Sequence, residues 1–333
     1  MLKIAINGFG RIGRNILRAV YENNYQDRIQ IVALNDLAPT EANSHLLQYD
    51  STHGRFNADI QYGEESITIN NDVIPAFMQR DPAKLPWADL GVDIVMECTG
   101  FFRAREKASL HIQAGAKKVL VSAPGKELDA TIVYGVNDGI LKADSKLVSN
   151  ASCTTNCLAH VAKAMHDSIG IESGLANTVH AYTNTQRLLD SYHKDKRRMR
   201  AANVSMIPAS TGSAKAIGSV IPELDGKLDA VAVRVPVPNV SLLDFTFIPD
   251  KSATVDEIDA IFSEYAQSRA GVFEISAKPL VSVDYVHNAA SCIVDIAQTR
   301  VSGNMIKVQA WYDNEWGFSN RMIDTALAME SAK

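Results

Sequence analysis

The chain has 333 residues, 46% of them hydrophobic and 21% charged, with a net charge of −5. That length exceeds what one hydrophobic core usually organises, so two domains are expected. The acidic balance argues against a protein held to nucleic acid by a global positive field, and no apolar run approaches the roughly 20 residues that cross a bilayer.

In chain order, LKIAI (residues 2 to 6) is a short apolar run of the kind a buried parallel strand needs, and it enters Gly8-Phe9-Gly10-Arg11-Ile12-Gly13 directly. A strand and a glycine turn at this point do not read as a signal peptide, and a cytoplasmic location is expected. NILRAVYEN follows with helical spacing. Glycines at Gly8, Gly10 and Gly13 suit a tight turn, close approach of the backbone to a pyrophosphate, and packing of helix on strand; the helix N-terminus offers N–H groups to phosphate. A second apolar run, IQIVALND, ends in Asp36, 23 residues beyond Gly13. A carboxylate there can meet an adenosine ribose, and its charge repels a 2′-phosphate, which favours NAD and leaves NADP open. VDIVMECTG and KKVLVSAPG are further strands separated by the helix-like REKASLHIQAG, an alternation that predicts a doubly wound parallel sheet of Rossmann type. Thr99, Gly100 and Ser122 stand at the ends of these strands, where such a sheet places its ligand.

Four cysteines, Cys98, Cys153, Cys157 and Cys292, are too few and scattered for a disulfide framework, and their spacing suggests no metal site. In NASCTTNC (150 to 157) the following residues CLAHVAKAMHDSIG have helical spacing, so Cys153 falls near a helix N-terminus. Lowering a thiol pKa from about 8.5 by two units takes about 2.7 kcal/mol, whereas a helix terminus offers about 0.3 to 1 kcal/mol. A cationic partner is required. LANTVHAYTN reads as a strand that delivers His180, whose imidazolium can hold a thiolate and whose ring can serve as a general base. His160 and His166 on the Cys153 helix and His193 in the basic loop compete with it on sequence alone; His160 lies two turns along the helix, where a core or surface role is expected, and Cys157 is read as an inert buried residue. The run HKDKRRMR (193 to 200) holds five Lys or Arg against Asp195, a local cationic patch suited to phosphate.

The strings SNASCTTNC, INGFGRIGR, TVHAYT, IPASTGSAKA, VAVRVPVPNVS and WYDNEWGFSNR together resemble the phosphorylating glyceraldehyde-3-phosphate dehydrogenases, in order and with family spacing from residue 2 to about 329. The resemblance implies a cytoplasmic, NAD-dependent, homotetrameric enzyme of glycolysis and gluconeogenesis. It oxidises glyceraldehyde 3-phosphate through a thioester on Cys153, with His180 as base, and inorganic phosphate releases 1,3-bisphosphoglycerate. It implies anion ligands at Ser152, Thr154, Thr183, Arg198, Thr211, Gly212 and Arg234, and NAD contacts at Arg11, Ile12, Asp36, Arg80, Ser122 and Asn314 beside the glycines. Thr185 stands where many members have Asp, Ser191-Tyr192 where strictly NAD-dependent members have Leu-Pro, and Phe318 where Tyr is frequent. Trp316 and Phe318 resemble the sister erythrose-4-phosphate dehydrogenases, but those enzymes typically lose the STG triplet kept here at 210 to 212.

The expected architecture is an NAD-binding domain over residues 1 to 151, with a terminal helix in 315 to 333 that by resemblance packs back on it, and a catalytic domain over 152 to 314. VAVRVPVPNVSLLDFTFIP and NMIKVQAWYD, with TVDEIDAIFSEYAQ between, give the second domain an α+β character with a largely antiparallel sheet. A reading from a different class is a nucleotide-binding interaction module acting through the basic loop. Nucleic acid is not expected as its main partner, because no aromatic residues interleave the charges.

Overall fold

The first strand, β1 (Leu2–Asn7), buries every residue but Lys3, which is what a strand covered on both faces requires. The computed structural model describes residues 1–333. After β1 come α1 (Arg11–Glu22), β2 (Ile29–Asn35), α2 (Thr40–Gln48), the two-residue strands β3 (Tyr49–Asp50) and β4 (Gly54–Arg55), and a meander of β5 (Ile60–Tyr62), β6 (Ser66–Ile69) and β7 (Asp72–Phe77). The short α3 (Trp87–Leu90), β8 (Ile94–Glu97), α4 (Arg105–Gln113), β9 (Lys118–Val121), β10 (Ala130–Thr131) and β11 (Leu147–Ser149) follow. They form a nine-stranded sheet in the order β10-β11-β9-β8-β1-β2-β7-β6-β5. Pairing is parallel from β10 to β7, and only the β7-β6-β5 end is antiparallel. β1 has β2 on one side and β8 on the other. The winding therefore reverses there, and a ligand crevice opens beyond the carboxyl ends of β1 and β8.

The second part of the chain begins with α5 (Cys153–Ile169) and β12 (Ser173–Ala181), then β13 (Ile207–Ser210), α6 (Ser213–Val220), β14 (Leu228–Val235), β15 (Ser241–Ile248) and α7 (Val255–Gln267). β16 (Phe273–Ser276), β17 (Cys292–Asp295), β18 (Arg300–Ser302), β19 (Met305–Tyr312) and α8 (Trp316–Ser331) complete it. The eight-stranded sheet runs β13-β14-β12-β15-β19-β17-β16, with β18 paired to β19. It is largely antiparallel; β12–β14 and β16–β17 are its parallel pairs. β15 alternates buried and half-buried residues along its length, so one face carries the core, with Leu243, Phe245 and Phe247 all at 1% exposure or less. α7 opens on a capping box, in which Thr254 and Glu257 satisfy each other's backbone N–H groups.

Two compact units result: Met1–Tyr134 with Asp138–Ala151 and Ser319–Lys333, and Gly135–Asn137 with Ser152–Phe318. Within the first, Thr325 of α8 donates to Asn150 Oδ1 at 2.8 Å, Asn23 donates to Asn320 Oδ1 at 2.7 Å, and Lys118 donates to the Met329 carbonyl at 2.6 Å. The fold is thus α/β with a doubly wound, mostly parallel sheet, joined to an α+β unit built on a mostly antiparallel one.

Candidate active site

The first unit carries the glycine turn. Gly8 has φ +92°, and a Cβ on it would stand 2.7 Å from the Thr99 backbone nitrogen; a Cβ on Gly13 would stand 2.2 Å from the Gly8 carbonyl oxygen. Both positions are therefore closed to larger residues by backbone, which packs the turn after β1 against the loop after β8. Gly10 is different: nothing lies within 4 Å of its would-be Cβ, and as N-cap of α1 it contributes no side-chain hydrogen bond. The helix terminus at Arg11, Ile12 and Gly13 is open on that side, a cradle that fits a pyrophosphate. Asp36 follows β2, where its two carboxylate oxygens accept the Phe9 N–H at 2.7 Å and the Ala38 N–H at 2.9 Å. It clamps the glycine turn while keeping lone pairs for a hydroxyl.

Arg11 takes its place in the cradle through its backbone, because its guanidinium pairs with Asp50. Burial works against the Asp50 charge, but Arg11 and the His53 and Thr52 N–H groups hold its carboxyl down at about 2. Ser122 is half-buried and hydrogen-bonded to Cys98, and Arg80 is exposed beyond β7. Beneath the turn, Trp87 Nε1 donates to His111 Nδ1 at 3.1 Å, which leaves the ring proton on Nε2 facing Glu97 Oε2 at 3.0 Å. Glu97 also accepts from Asn7 and from the Thr99 N–H, so the carboxylate is wholly buried yet satisfied.

In the second unit Ser152 caps α5, its Oγ accepting the Thr155 N–H at 3.0 Å, and Cys153 is the first helical residue. Its Sγ stands 3.5 Å from Nε2 of His180, which β12 delivers near its carboxyl end. The parallel pairing of β12 with β14 sets His180 level with Arg234. Arg234 Nη1 reaches His180 Nδ1 at 2.7 Å and the Ala181 carbonyl at 3.1 Å, while that carbonyl is itself 2.7 Å from Nδ1. A guanidinium can only donate, so Nδ1 either accepts from Arg234 or donates to Ala181, never both. In the second state the Nε2 lone pair faces the sulfur.

This arrangement corrects the expectation that an imidazolium would be the cation holding a thiolate. Burial first, and then the Arg234 charge, pull the His180 ring from its ordinary 6.5 to about 3, so the ring rests neutral. The cation beside the sulfur is Arg234. Burial pushes the Cys153 thiol up, and the opposing pull of Arg234 does not cancel it, so the resting group is a thiol. Cys157 is wholly buried, pushed up by burial and then by Cys292, and suits an inert role. His160 is core, 3.2 Å from the Tyr265 hydroxyl.

The anion candidates fall into two groups. Thr183 Oγ1 lies 2.9 Å from Thr185 Oγ1; Arg198 donates to the Ser210 carbonyl at 3.3 Å and reaches Thr185 Oγ1 at 3.5 Å. Arg198 also acts on Arg234: burial and this like charge both lower the Arg234 pKa. Two guanidinium groups that repel one another suit a dianion. Thr211 and Gly212 lead into α6, with Gly212 as its N-cap and Thr211 Oγ1 accepting the Ser213 N–H at 3.2 Å. Thr154 is buried, and its hydroxyl lies 2.8 Å from that of Tyr312, so its side chain faces the core. Ser152 Oγ accepts the Thr155 N–H as helix cap and lies 2.7 Å from Thr155 Oγ1.

Asn314 follows β19 at 7% exposure; the Ser241 hydroxyl donates to its Oδ1 at 2.9 Å, and no protein acceptor meets its Nδ2 group. A nearly buried amide with two N–H bonds to offer fits a carboxamide oxygen. Sequence reasoning missed Tyr312, which bridges Thr154 and Thr178 at 2.8 and 2.7 Å, as well as Gln186, which accepts the Thr183 N–H at 2.7 Å, and Ser241. Nothing in their local sequence marks them.

Comparison with known proteins agrees with these features. Residues 2–105 match the family model described as glyceraldehyde 3-phosphate dehydrogenase, NAD binding domain, and residues 152–314 the one described as its C-terminal domain. The chain is 54% identical to the chromosomal glyceraldehyde-3-phosphate dehydrogenase of Cupriavidus necator and 54% identical to the glyceraldehyde-3-phosphate dehydrogenase of Pseudomonas aeruginosa, covering 100% of this chain and 99% of each relative. With the glyceraldehyde-3-phosphate dehydrogenase of Xanthobacter flavus it shares 52% over 98% of both chains. With an NAD-binding unit and a cysteine–histidine pair in one chain, and this likeness along its whole length, the chain belongs to the glyceraldehyde-3-phosphate dehydrogenase family.

Proposed function

We propose that the chain catalyses the NAD-dependent oxidative phosphorylation of glyceraldehyde 3-phosphate, with Cys153 as nucleophile and His180 as general base. The observation that carries this reading is the 3.5 Å approach of Cys153 Sγ to His180 Nε2 at the start of α5. Residues 1 to 151 with 315 to 333 serve as the NAD-binding domain, and 152 to 314 as the catalytic domain. The cradle at Gly8, Gly10, Arg11, Ile12 and Gly13 would hold the pyrophosphate, Asp36 the adenosine ribose, and Asn314 the carboxamide; Arg80 and Ser122 complete the set by resemblance. Bound there, NAD supplies the hydride acceptor.

The chain's own residues move one proton and one acyl group. His180 Nε2 takes the Cys153 proton as sulfur attacks the aldehyde carbon, then returns it to the carbonyl oxygen, giving a hemithioacetal. This adduct has what an aldehyde lacks, an oxygen-bound proton. Nε2 removes that proton as hydride departs from the same carbon, leaving a thioester on Cys153. Phosphate oxygen then attacks the thioester carbon, the C–S bond breaks, and the proton on Nε2 returns to sulfur. His180 must be neutral when it takes the thiol proton and again when it takes the hydroxyl proton, a state that burial first and Arg234 second favour. Arg198, Arg234 and Thr183 would hold one phosphate, and Ser152, Thr154, Thr211 and Gly212 the other, Thr154 and Gly212 through backbone N–H.

The test is reduction of NAD by purified protein. Turnover with glyceraldehyde 3-phosphate should depend on added phosphate, and without phosphate it should stop near one equivalent per chain. Equal rates with erythrose 4-phosphate and no gain from phosphate would overturn the proposal. A cytoplasmic location agrees with four free thiols. A homotetramer is proposed from the apolar side chains of the 188 to 206 segment, where Leu188, Leu189, Tyr192, Val204 and Met206 are each more than 70% exposed. Light scattering should give four times 36.3 kDa.

A further inference from the structure

We infer that Ser241 is a positioning residue that fixes the amide of Asn314 in the orientation that presents its N–H groups. The inference rests on the reading of Asn314 as the carboxamide holder and deepens it. Ser241 is the first residue of β15 and is 1% exposed. Its oxygen accepts the Ala181 N–H at 3.1 Å, and its hydroxyl donates to Asn314 Oδ1 at 2.9 Å.

A serine hydroxyl has one proton and two lone pairs. With one lone pair taken by Ala181, the proton still needs an acceptor in a place closed to water. Asn314 Oδ1 is that acceptor. Were the amide turned over, Nδ2 would face an oxygen that already accepts, the buried hydroxyl proton would lose its partner, and Asn314 would present a carbonyl instead of two donors. A nicotinamide carboxamide could then no longer offer its oxygen to this side chain. Ser241 thereby decides, through a proton of its own, which end of Asn314 faces the ligand.

The same contact couples Asn314 to the base. The residue that donates to Ser241 is Ala181, whose carbonyl is the one shared by His180 Nδ1 and Arg234 Nη1. Both polar groups of one peptide residue are thus committed, the carbonyl to the base and the N–H to the chain of contacts ending at Asn314. From the other side, Asp313 pins the turn: it is 1% exposed and accepts the backbone N–H groups of His287, Glu315 and Trp316 at 2.8 to 2.9 Å. The backbone of Asn314 is therefore held by Asp313 and its amide plane by Ser241.

Calorimetric binding of NAD and of ADP-ribose, which lacks the nicotinamide, tests this without turnover. In the parent, NAD should bind more tightly than ADP-ribose. Ser241→Ala should weaken NAD about tenfold, the loss of one well-made hydrogen bond, while ADP-ribose affinity stays within about twofold. Ser241→Thr, which keeps the hydroxyl, should restore the ratio, and a restored ratio is not expected from a purely structural effect. Asn314→Ala separates the two levels of the claim. If Asn314→Ala collapses the ratio and Ser241→Ala leaves it at the parent value, or if Ser241→Ala weakens both ligands equally, the inference about Ser241 is wrong. If Asn314→Ala itself leaves the ratio intact, the reading of Asn314 fails and takes the inference with it.

Discussion

Arg234→Met removes the cation that the structure sets against both members of the Cys153–His180 pair. The His180 ring is held about 3.5 units below its ordinary value, from 6.5 to about 3, which at 1.36 kcal/mol per unit is about 5 kcal/mol against protonation. Burial is the larger cause and Arg234 the second, so removing the guanidinium relieves only part of that cost. In Arg234→Met the His180 titration, followed by NMR of the ring C2–H, is expected to rise above about 3 yet stay below 6.5, because the burial remains. The sign at Cys153 then separates electrostatics from packing. Loss of a positive charge raises both pKa values, whereas mere entry of water would raise that of His180 and lower that of Cys153. Alkylation by iodoacetamide, a neutral reagent that does not itself feel the arginine, should therefore inflect at higher pH in the variant than in the parent. An inflection that moved down, or a histidine that did not move, would refute the assignment of Arg234 as the controlling charge.

His180→Asn should lower the hydride-transfer rate by about 10² to 10⁴-fold while leaving NAD binding near parental, as measured in single turnovers. The same residue sets an acid dependence of stability. Its folded pKa is depressed, so the unfolded chain binds the extra proton between about 3 and 6.5; the stabilisation is complete above 6.5 and is lost as pH falls towards 3. Urea melts at pH 7 and pH 4 should therefore differ by up to about 3 kcal/mol more in the parent than in His180→Asn, and identical differences would remove His180 from the acid transition. Asp36→Asn keeps an acceptor for the Phe9 N–H but removes the charge, so discrimination against NADP should fall at least about tenfold, as read from the ratio of cofactor dissociation constants. Gly13→Ala places a Cβ 2.2 Å from the Gly8 carbonyl oxygen. It should cost about 2 to 4 kcal/mol in denaturant melts and abolish NAD binding; a variant that still bound normally would show that the turn relaxes.

The nucleotide cradle was legible because its signals are local. The apolar run of β1, the spacing of Gly8, Gly10 and Gly13, and the position of Asp36 after β2 each follow from a backbone need that only certain residues meet. The start of α5 was legible in the same way, since Ser152 is an N-cap and the residues after it keep helical spacing. The meander β5–β7 escaped because its strands of three to six residues are short, and only β6 alternates cleanly, over four residues; Asn70, at φ +54°, makes the tight turn between two of them. The terminal helix α8 could be placed only by resemblance, since its partners Asn23, Lys118 and Asn150 lie far away in the chain.

The electrostatic character of the site was not legible, for a reason that lies in the sheet. His180 and Arg234 are 54 residues apart and become neighbours because β12 and β14 pair in parallel, with one register step deciding whether a guanidinium or an apolar side chain stands level with the ring. No periodicity fixes that step; the burial of alternate faces does, once the strands have met. Counting the energy needed to ionise a thiol asks for a cation without saying which one; the structure sets Arg234 near the sulfur, yet burial still keeps the resting group a thiol. Among candidates the sequence favoured His180, which a strand end delivers, over His160 and His166, which lie nearer along the chain. A buried arginine is the stronger one in space, because its charge persists at every pH at which the protein is folded, whereas an imidazole beside it gives up its own. The consequence for chemistry is a division of roles: Arg234 supplies the fixed charge, and His180 is left free of a proton and able to take one.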